Sequence, residues 1–156
     1  MKLRGLIDSL TRFDRYLDAL QAPFALLVRV YVSWVFLKSA LLKLQDWEQT
    51  VSLFELEYRV PLLSPLAGAV AGTAGELIFP VLLILGLGGR IAPIGLFAVN
   101  AMAVISYAHV FFEDTGIAGL RQHQLWGFML LMLIFYGTGA WSLDRLLQQS
   151  GRRAST

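Results

Sequence analysis

Four long stretches of apolar residues dominate the sequence and limit what it can fold into. They cover about 22–44, 61–87, 91–112 and 125–141. A membrane-spanning helix needs roughly 20 mostly apolar residues, and a helix satisfies its own backbone polar groups inside lipid. With 56% hydrophobic and 15% charged residues, the chain is too apolar for an ordinary soluble domain. The pattern predicts an all-α fold, a four-helix transmembrane bundle.

The flanking segments divide the chain into three parts. Residues 1–21 place basic residues between apolar positions at helical spacing, which predicts an amphipathic helix at the membrane interface. Residues 22–147 hold the four predicted spans, and Pro23 opens the first of them. Residues 148–156 are polar and are predicted to form a disordered tail.

Basic residues in the short loops predict the orientation. One side collects Lys2, Arg4, Arg12, Arg15, Arg90, Arg145, Arg152 and Arg153, whereas the opposite loops hold Arg59 and Arg121. Short basic loops stay in the cytoplasm. Both termini are therefore predicted to be cytoplasmic, in a multi-pass protein surrounded by lipid.

The composition also excludes several classes of function. A chain without cysteine has no disulfide, thiolate metal site or dithiol chemistry of its own. The net charge of +2 is not arranged as a basic run with interleaved aromatic residues, so no nucleic-acid partner is expected. No phosphate-binding loop or nucleophile–base motif is present. We therefore do not expect an autonomous enzyme.

Ionisable and polar residues inside the predicted spans are the first candidate site. Counting about 1.5 Å per residue from the cytoplasmic boundary places Arg29, Glu76 and Asn100 at roughly 10, 18 and 15 Å depth. A charge at mid-membrane costs roughly 2.5 to 3.5 kcal/mol unless it is paired or hydrated. We therefore predict that Arg29 pairs with Glu76 and that Asn100 hydrogen-bonds one of them. Such a pair either fixes helix packing or takes part in function.

A second group of side chains is expected at the opposite ends of the spans. Lys43 shares one face of the first helix with Arg29, Ser33, Phe36 and Ala40, which predicts that this face points into the bundle. The topology brings Lys43, Trp47, His109 and His123 to one water interface, as a binding mouth. His109 and His123 are candidate metal ligands there, although an interfacial histidine is commonly just hydrated.

Several stretches of the sequence resemble the DoxX family of small four-helix bacterial membrane proteins. The likeness covers Leu26 to Leu147 and rests on LLVRVYVSWVFLKSALLKLQDW, FELEYRVPLLSP, GTAGELIFPVLLILGLGGR and QLWGFMLLMLIFYGTGAWSLDRLL. Within that family, DWEQTVSLFELEYRVPLL and the His123 to Gly127 segment are most similar to the HvfX branch. That branch is associated with gene clusters for copper-binding modified peptides.

The resemblance implies a multi-pass protein of the bacterial inner membrane and leaves three functions open. The first is an accessory protein that supports maturation, export or anchoring of a copper-binding peptide system in metal or oxidative stress. Its partners would be proteins or a modified peptide of the same gene cluster. The second is a quinone-binding membrane subunit of an envelope oxidoreductase, and the third is a transporter of a small solute or metal. Copper and quinone are thus the candidate cofactors, and a homo-oligomer is a further expectation.

Overall fold

The computed structural model of the chain describes residues 2–154, with side chains over residues 10–150. Its helices are α1 (Lys2–Gln45), α2 (Trp47–Leu56), α3 (Pro65–Leu85), α4 (Ile91–Ser106), α5 (Ala108–Phe111), α6 (Ile117–Tyr136) and α7 (Leu143–Ala154). The described part of the chain contains no strand, so the prediction of an all-α fold is confirmed for it.

Local sequence signals set the ends of α3, the helix that carries Glu76. Ser64 caps its start by accepting a hydrogen bond from the Ala67 amide at 3.3 Å, and Pro65 occupies the first helical position. Gly86 ends the helix in the left-handed conformation, with φ of 68°. A Cβ at Gly86 would lie 2.5 Å from the Ser142 Cβ, so this end also requires glycine for space.

Four helices build one shared apolar core. α1 contributes Val28, Val32 and Phe36; α3 contributes Leu83; α4 contributes Ala92 and Leu96; and α6 contributes Leu130 and Leu133. Glycines allow close approach between α3 and α4, because a Cβ at Gly75 would lie 2.6 Å from Val99. The four predicted apolar segments therefore pack together around this core.

Membrane character is strongest in two helices. Among the described residues, Leu10–Gln45 of α1 and all of α3 are long and apolar enough to span a bilayer, judged by length and composition. The exposed surface also carries large apolar side chains at 56 to 73% exposure, a surface suited to lipid. They include Phe24, Leu27, Trp34, Ile78, Phe128 and Phe135. The number of spans and the cytoplasmic termini stay predictions.

Several predicted boundaries differ from the structure. The interfacial segment 1–21 and the first span form one continuous helix through Pro23, and residue 1 lies outside the described part. The segment between the first and second predicted spans contains α2, and the third apolar segment leaves the helix at Tyr107. The fourth helix starts at Ile117 rather than 125 and ends at Gly137, whose φ of 85° favours glycine.

The tail is the remaining difference. Residues 148–154, predicted to be disordered, continue α7, whereas residues 155–156 lie outside the described part. Leu143, Leu146 and Leu147 follow helical spacing, and Asp144 stands in the first turn, where a negative charge is favourable.

Candidate ligand-binding cavity

A polar stripe on α1 faces the core, as its spacing predicts. Arg29 and Ser33 are 1% and 0% exposed, Phe36 and Ala40 are equally buried, and Lys43 is half-buried. The prediction that this face is turned inward is confirmed by its burial. Arg29 and Lys43 are 14 residues apart, however, which corresponds to roughly 21 Å along the helix axis. The stripe therefore serves two separate sites.

Lys43 forms an ion pair with Glu76. Its ammonium donates to both carboxylate oxygens, at 2.7 Å to Oε1 and 2.6 Å to Oε2, and to the Ser39 hydroxyl oxygen at 2.9 Å. These three bonds use every N–H of the ammonium. The two side chains are 19% and 9% exposed, so most of the water around both charges has been removed.

Arg29 does not pair with Glu76, and this prediction is wrong. Its guanidinium donates to the carbonyl oxygens of Thr138 and Trp141, each at 2.7 Å. It lies level with Gly86, since a Cβ built there would be 2.7 Å from Arg29 Nη1. Gly86 is ten residues from Glu76 along the chain, or about 15 Å of helix rise, which is beyond the reach of the arginine.

The Arg29 end of the bundle is a structural clamp with a polar surface cavity beside it. Asp144 accepts a hydrogen bond from the Gly89 amide at 2.6 Å and donates its own amide to the Gly86 carbonyl at 3.2 Å. Together with Arg29, these bonds fasten the segment before α7 to the bundle. The adjoining cavity of about 490 Å³ lies among Gly89, Arg90 and Asp144.

Asn100 pairs with His123, so its predicted place in an Arg29–Glu76 cluster is also wrong. The amide nitrogen of Asn100 donates to the His123 carbonyl oxygen at 3.1 Å, and its amide oxygen lies 2.9 Å from the imidazole Nδ1. Asn100 is 5% exposed. The pair therefore joins α4 to the start of α6 and fixes the position of the imidazole ring.

The Lys43–Glu76 pair and His123 line one cavity, which we call the Lys43 cavity. Its volume is about 450 Å³. Most of the lining is apolar or aromatic, and α3 contributes a floor of small residues at Gly68, Ala71 and Gly72. The other lining residues are Ser39, Phe54, Tyr58, Val60, Leu63, Phe79, Gly95, Ala98, Val99, Met102, Ala103, Ser106, Tyr107 and Phe111. Such an apolar cavity with a few convergent polar groups is typical of a small-molecule site.

A continuous series of aromatic rings lines this cavity and extends beyond it through Trp126 to Phe36. Neighbouring ring centroids are 4.7 to 5.7 Å apart, within the range of favourable ring–ring contact. The order is Phe54, Tyr58, Tyr107, Phe111, His123, Trp126 and Phe36. The series joins α1, α2, α5 and α6, which indicates a preformed wall rather than separate flexible side chains.

Two tyrosines of this wall lie between helices and stay protonated at neutral pH. Burial, followed by the effects of Tyr107, Glu76 and Glu57, raises the pKa of the Tyr58 phenol. The Tyr107 hydroxyl donates to Glu57 Oε2 at 2.9 Å, and this bond raises the pKa of Tyr107. Both rings therefore offer neutral hydroxyl groups.

The predicted binding mouth is only partly assembled. Lys43 and His123 line the Lys43 cavity, but His109 and Trp47 do not. His109 is exposed and meets the edge of the Tyr107 ring at 5.5 Å between centroids. Within the described residues, no three His, Cys, Asp or Glu side chains are grouped to hold a metal ion. Binding of a metal by His109 and His123 stays a prediction.

Sequence reasoning missed Ser106, Tyr107 and Phe111. These residues stand where the third apolar segment leaves the helix, so they read as the end of a span. The turn at Tyr107 redirects the chain and brings its ring to 5.1 Å from Tyr58, 49 positions earlier. Only the hydrophobicity of the segment was visible in the sequence, and it carries no sign of this turn.

Comparison with known proteins gives a family match. No curated protein and no solved structure shows significant similarity to this chain. A model of the DoxX family matches residues 24–110, more than half of the chain, and the matched region includes Arg29, Lys43, Glu76 and Asn100. Together with the two span-length apolar helices, this match indicates a membrane protein. The chain belongs to the DoxX family.

Proposed function

We propose that this DoxX-family protein is a quinone-binding membrane subunit of an envelope oxidoreductase. The observation that carries the proposal is the Lys43 cavity, with an apolar and aromatic lining and the Lys43–Glu76 pair and His123 among its few polar groups. A quinone has the matching chemistry, since its ring is planar and apolar on both faces and its polar atoms are confined to the ring edge.

The size of the cavity supports a substituted ring. A dry cavity of roughly 150 Å³ accommodates benzene, and small-molecule sites commonly measure about 300–1,000 Å³. At about 450 Å³, the Lys43 cavity has room for a six-membered ring, its substituents and the first part of an apolar tail. The rings of Tyr58, Tyr107 and Phe111 offer edges and faces for stacking against such a ligand.

The ion pair supports binding of the polar part of the ligand. Because Lys43 donates all three N–H groups to Ser39 and Glu76, the pair is fully hydrogen-bonded before any ligand arrives. The Glu76 oxygens keep further accepting capacity, which a hydroxyl of the reduced quinone can use. A charged pair beside an apolar cavity gives stronger contacts than the same groups would in water, since the surroundings screen them less.

Native mass spectrometry tests this proposal. The protein is purified in mild detergent from its own membrane, together with Glu76→Gln and the exposed control Glu55→Gln. We expect stoichiometric isoprenoid quinone on the wild type and on Glu55→Gln, and loss of quinone from a folded Glu76→Gln variant. Lipid alone on a folded wild-type protein, with no binding of added quinone, would contradict the proposal.

The accessory role in a copper-binding peptide system stays a prediction based on resemblance to the HvfX branch, as does the transporter. The two candidate histidines occupy different surroundings, since His123 lines the cavity and His109 is exposed. The accessory role predicts that His123→Ala preserves membrane abundance and impairs copper tolerance. Normal copper tolerance of that variant would exclude the mouth as the site of this role.

A further inference from the structure

The hydrogen bonds around Asn100 determine which nitrogen of His123 carries a proton. The His123 carbonyl oxygen can only accept, so the Asn100 nitrogen must face it, as it does at 3.1 Å. The Asn100 amide oxygen then faces His123 Nδ1 at 2.9 Å. An amide oxygen can also only accept, so Nδ1 carries hydrogen.

This assignment makes Nε2 of a neutral His123 a hydrogen-bond acceptor. Burial of the ring among aromatic neighbours, and to a smaller extent the Lys43 ammonium in the same cavity, disfavours a positive charge on the imidazole. Across residues 10–150, no side chain or backbone group donates to His123 Nε2. The ring contacts with Phe111 and Trp126, at 5.2 and 4.9 Å between centroids, hold the imidazole in this orientation.

The Lys43–Glu76 pair also favours a ligand that donates a hydrogen bond. The ammonium of Lys43 has no N–H left for a ligand, and the Glu76 carboxylate it binds can only accept. Ser106 is 3% exposed, and within the described structure its hydroxyl has no hydrogen-bond partner. A hydroxyl can complement a donor or an acceptor, so Ser106 and the lining hydroxyls of Ser39 and Tyr58 are compatible with either kind of ligand.

We infer that the Lys43 cavity selects the reduced, hydroxyl-bearing form of its ligand, a hydroquinone or related phenol whose hydroxyl donates to His123 Nε2. The inference rests on the proposed function and adds the redox form to it. An oxidised quinone carries a carbonyl oxygen where the hydroquinone carries each hydroxyl. A carbonyl oxygen cannot donate a hydrogen bond, so its lone pairs would face the lone pair of Nε2. His123 is then the residue that distinguishes the two forms.

Three matched probes on the full chain in nanodiscs test this inference. They are a short-chain dimethoxy-methyl hydroquinone, its benzoquinone and its dimethyl ether, each titrated by calorimetry, with the hydroquinone kept reduced by ascorbate. Ascorbate leaves the protein itself unchanged, because a chain without cysteine has no disulfide to reduce. We expect the hydroquinone to bind about tenfold more tightly than the other two, since a net hydrogen bond contributes about that factor.

The possible outcomes separate the inference from the proposed function. Equal affinity for all three probes would overturn the inference and leave the quinone site standing. No binding of any probe would overturn both. The variant His123→Phe keeps an aromatic ring against Phe111 and Trp126, and it should lower the preference to below about twofold. His109→Phe, at an exposed histidine outside the cavity, should keep the wild-type preference. If His123→Phe does not fold, the three-probe comparison on the wild type still decides.

Discussion

Neutralising Glu76 should destabilise the protein more than neutralising Glu76 and Lys43 together. At 2.6 Å and an effective dielectric constant of 20, the attraction between the two charges is about 6 kcal/mol. Much of this only offsets the several kcal/mol needed to remove each charge from water. Glu76→Gln leaves the ammonium of Lys43 unpaired, at a cost of about 3 kcal/mol, and Lys43→Met should cost about 2 kcal/mol. The double variant removes both charges and should lose only about 2 kcal/mol, a coupling of about 3 kcal/mol.

Thermal unfolding of the four proteins in one detergent measures this coupling. For a chain of this size, 1 kcal/mol corresponds to about 2–4 °C in Tm, so Glu76→Gln should melt about 6–12 °C below the wild type. The double variant should melt above Glu76→Gln, and Lys38→Met, at an exposed lysine of the same helix, should melt with the wild type. A double variant that loses the sum of the two single effects would refute the reasoning.

Three further predictions follow from other parts of the structure. Gly72→Leu should lower quinone affinity at least tenfold while Tm is kept, because a Cβ there meets only Phe54 Cζ at 3.6 Å and the rest of the side chain fills the cavity. Calorimetry compares the quinone affinity of this variant with that of Val70→Leu, a change at an exposed residue of the same helix. Arg29→Lys should lower Tm by about 4–8 °C, since an ammonium cannot bridge two carbonyls like a guanidinium and about 2 kcal/mol is lost. Tyr58 should ionise above its ordinary pKa of 10.0, so the stability linked to its protonated form persists at neutral pH and is lost as pH rises through the raised pKa. An ultraviolet titration follows phenolate absorbance against pH in the wild type and in Tyr58→Phe. The difference between the two curves reports Tyr58, and a midpoint at pH 10.0 or below would refute this last prediction.

The direction in which side chains face was predictable from sequence, whereas their partners along the bundle were not. Helical periodicity alone shows that Arg29, Ser33 and Phe36 share a buried face, because the angle between residues is fixed by the helix itself. Depth is different, since it depends on where each helix starts relative to its neighbours. α6 starts eight residues before the predicted fourth span and α4 ends six residues before the predicted end of the third. The same kind of error affected α1 and α3. Arg29 lies level with Gly86, about 15 Å of helix rise from Glu76, whereas the predicted depths of the two residues differ by only about 8 Å. The real separation exceeds the reach of a side chain, so the assignment of Glu76 to Arg29 failed.

The pairing of Asn100 with His123 shows the same limit. Both residues were recognised as candidates, but His123 was placed in a mouth and Asn100 in the intramembrane cluster. Their contact depends on the extra turns at the start of α6, which bring His123 beside α4. A polar loop was the natural interpretation of residues 113–124, because their composition carries no strong helical periodicity. The Lys43 cavity depends on two contacts, the Lys43–Glu76 ion pair and the Asn100–His123 hydrogen bonds. Neither contact was predicted, so the cavity could not be predicted from the sequence.

The carbonyl partners of Arg29 impose an order on the biogenesis of the chain. They belong to residues 109 and 112 positions later, so the arginine leaves the ribosome long before the groups that will satisfy it. Until Thr138 and Trp141 have been synthesised, a guanidinium on the first apolar helix has to remain hydrated or find temporary partners in lipid or in the insertion machinery. The final assembly of the first helix therefore waits until residues more than a hundred positions later have been translated. A chain interrupted before residue 138 would display an unsatisfied arginine within its first apolar segment, a feature by which membrane quality control could distinguish it from the finished protein.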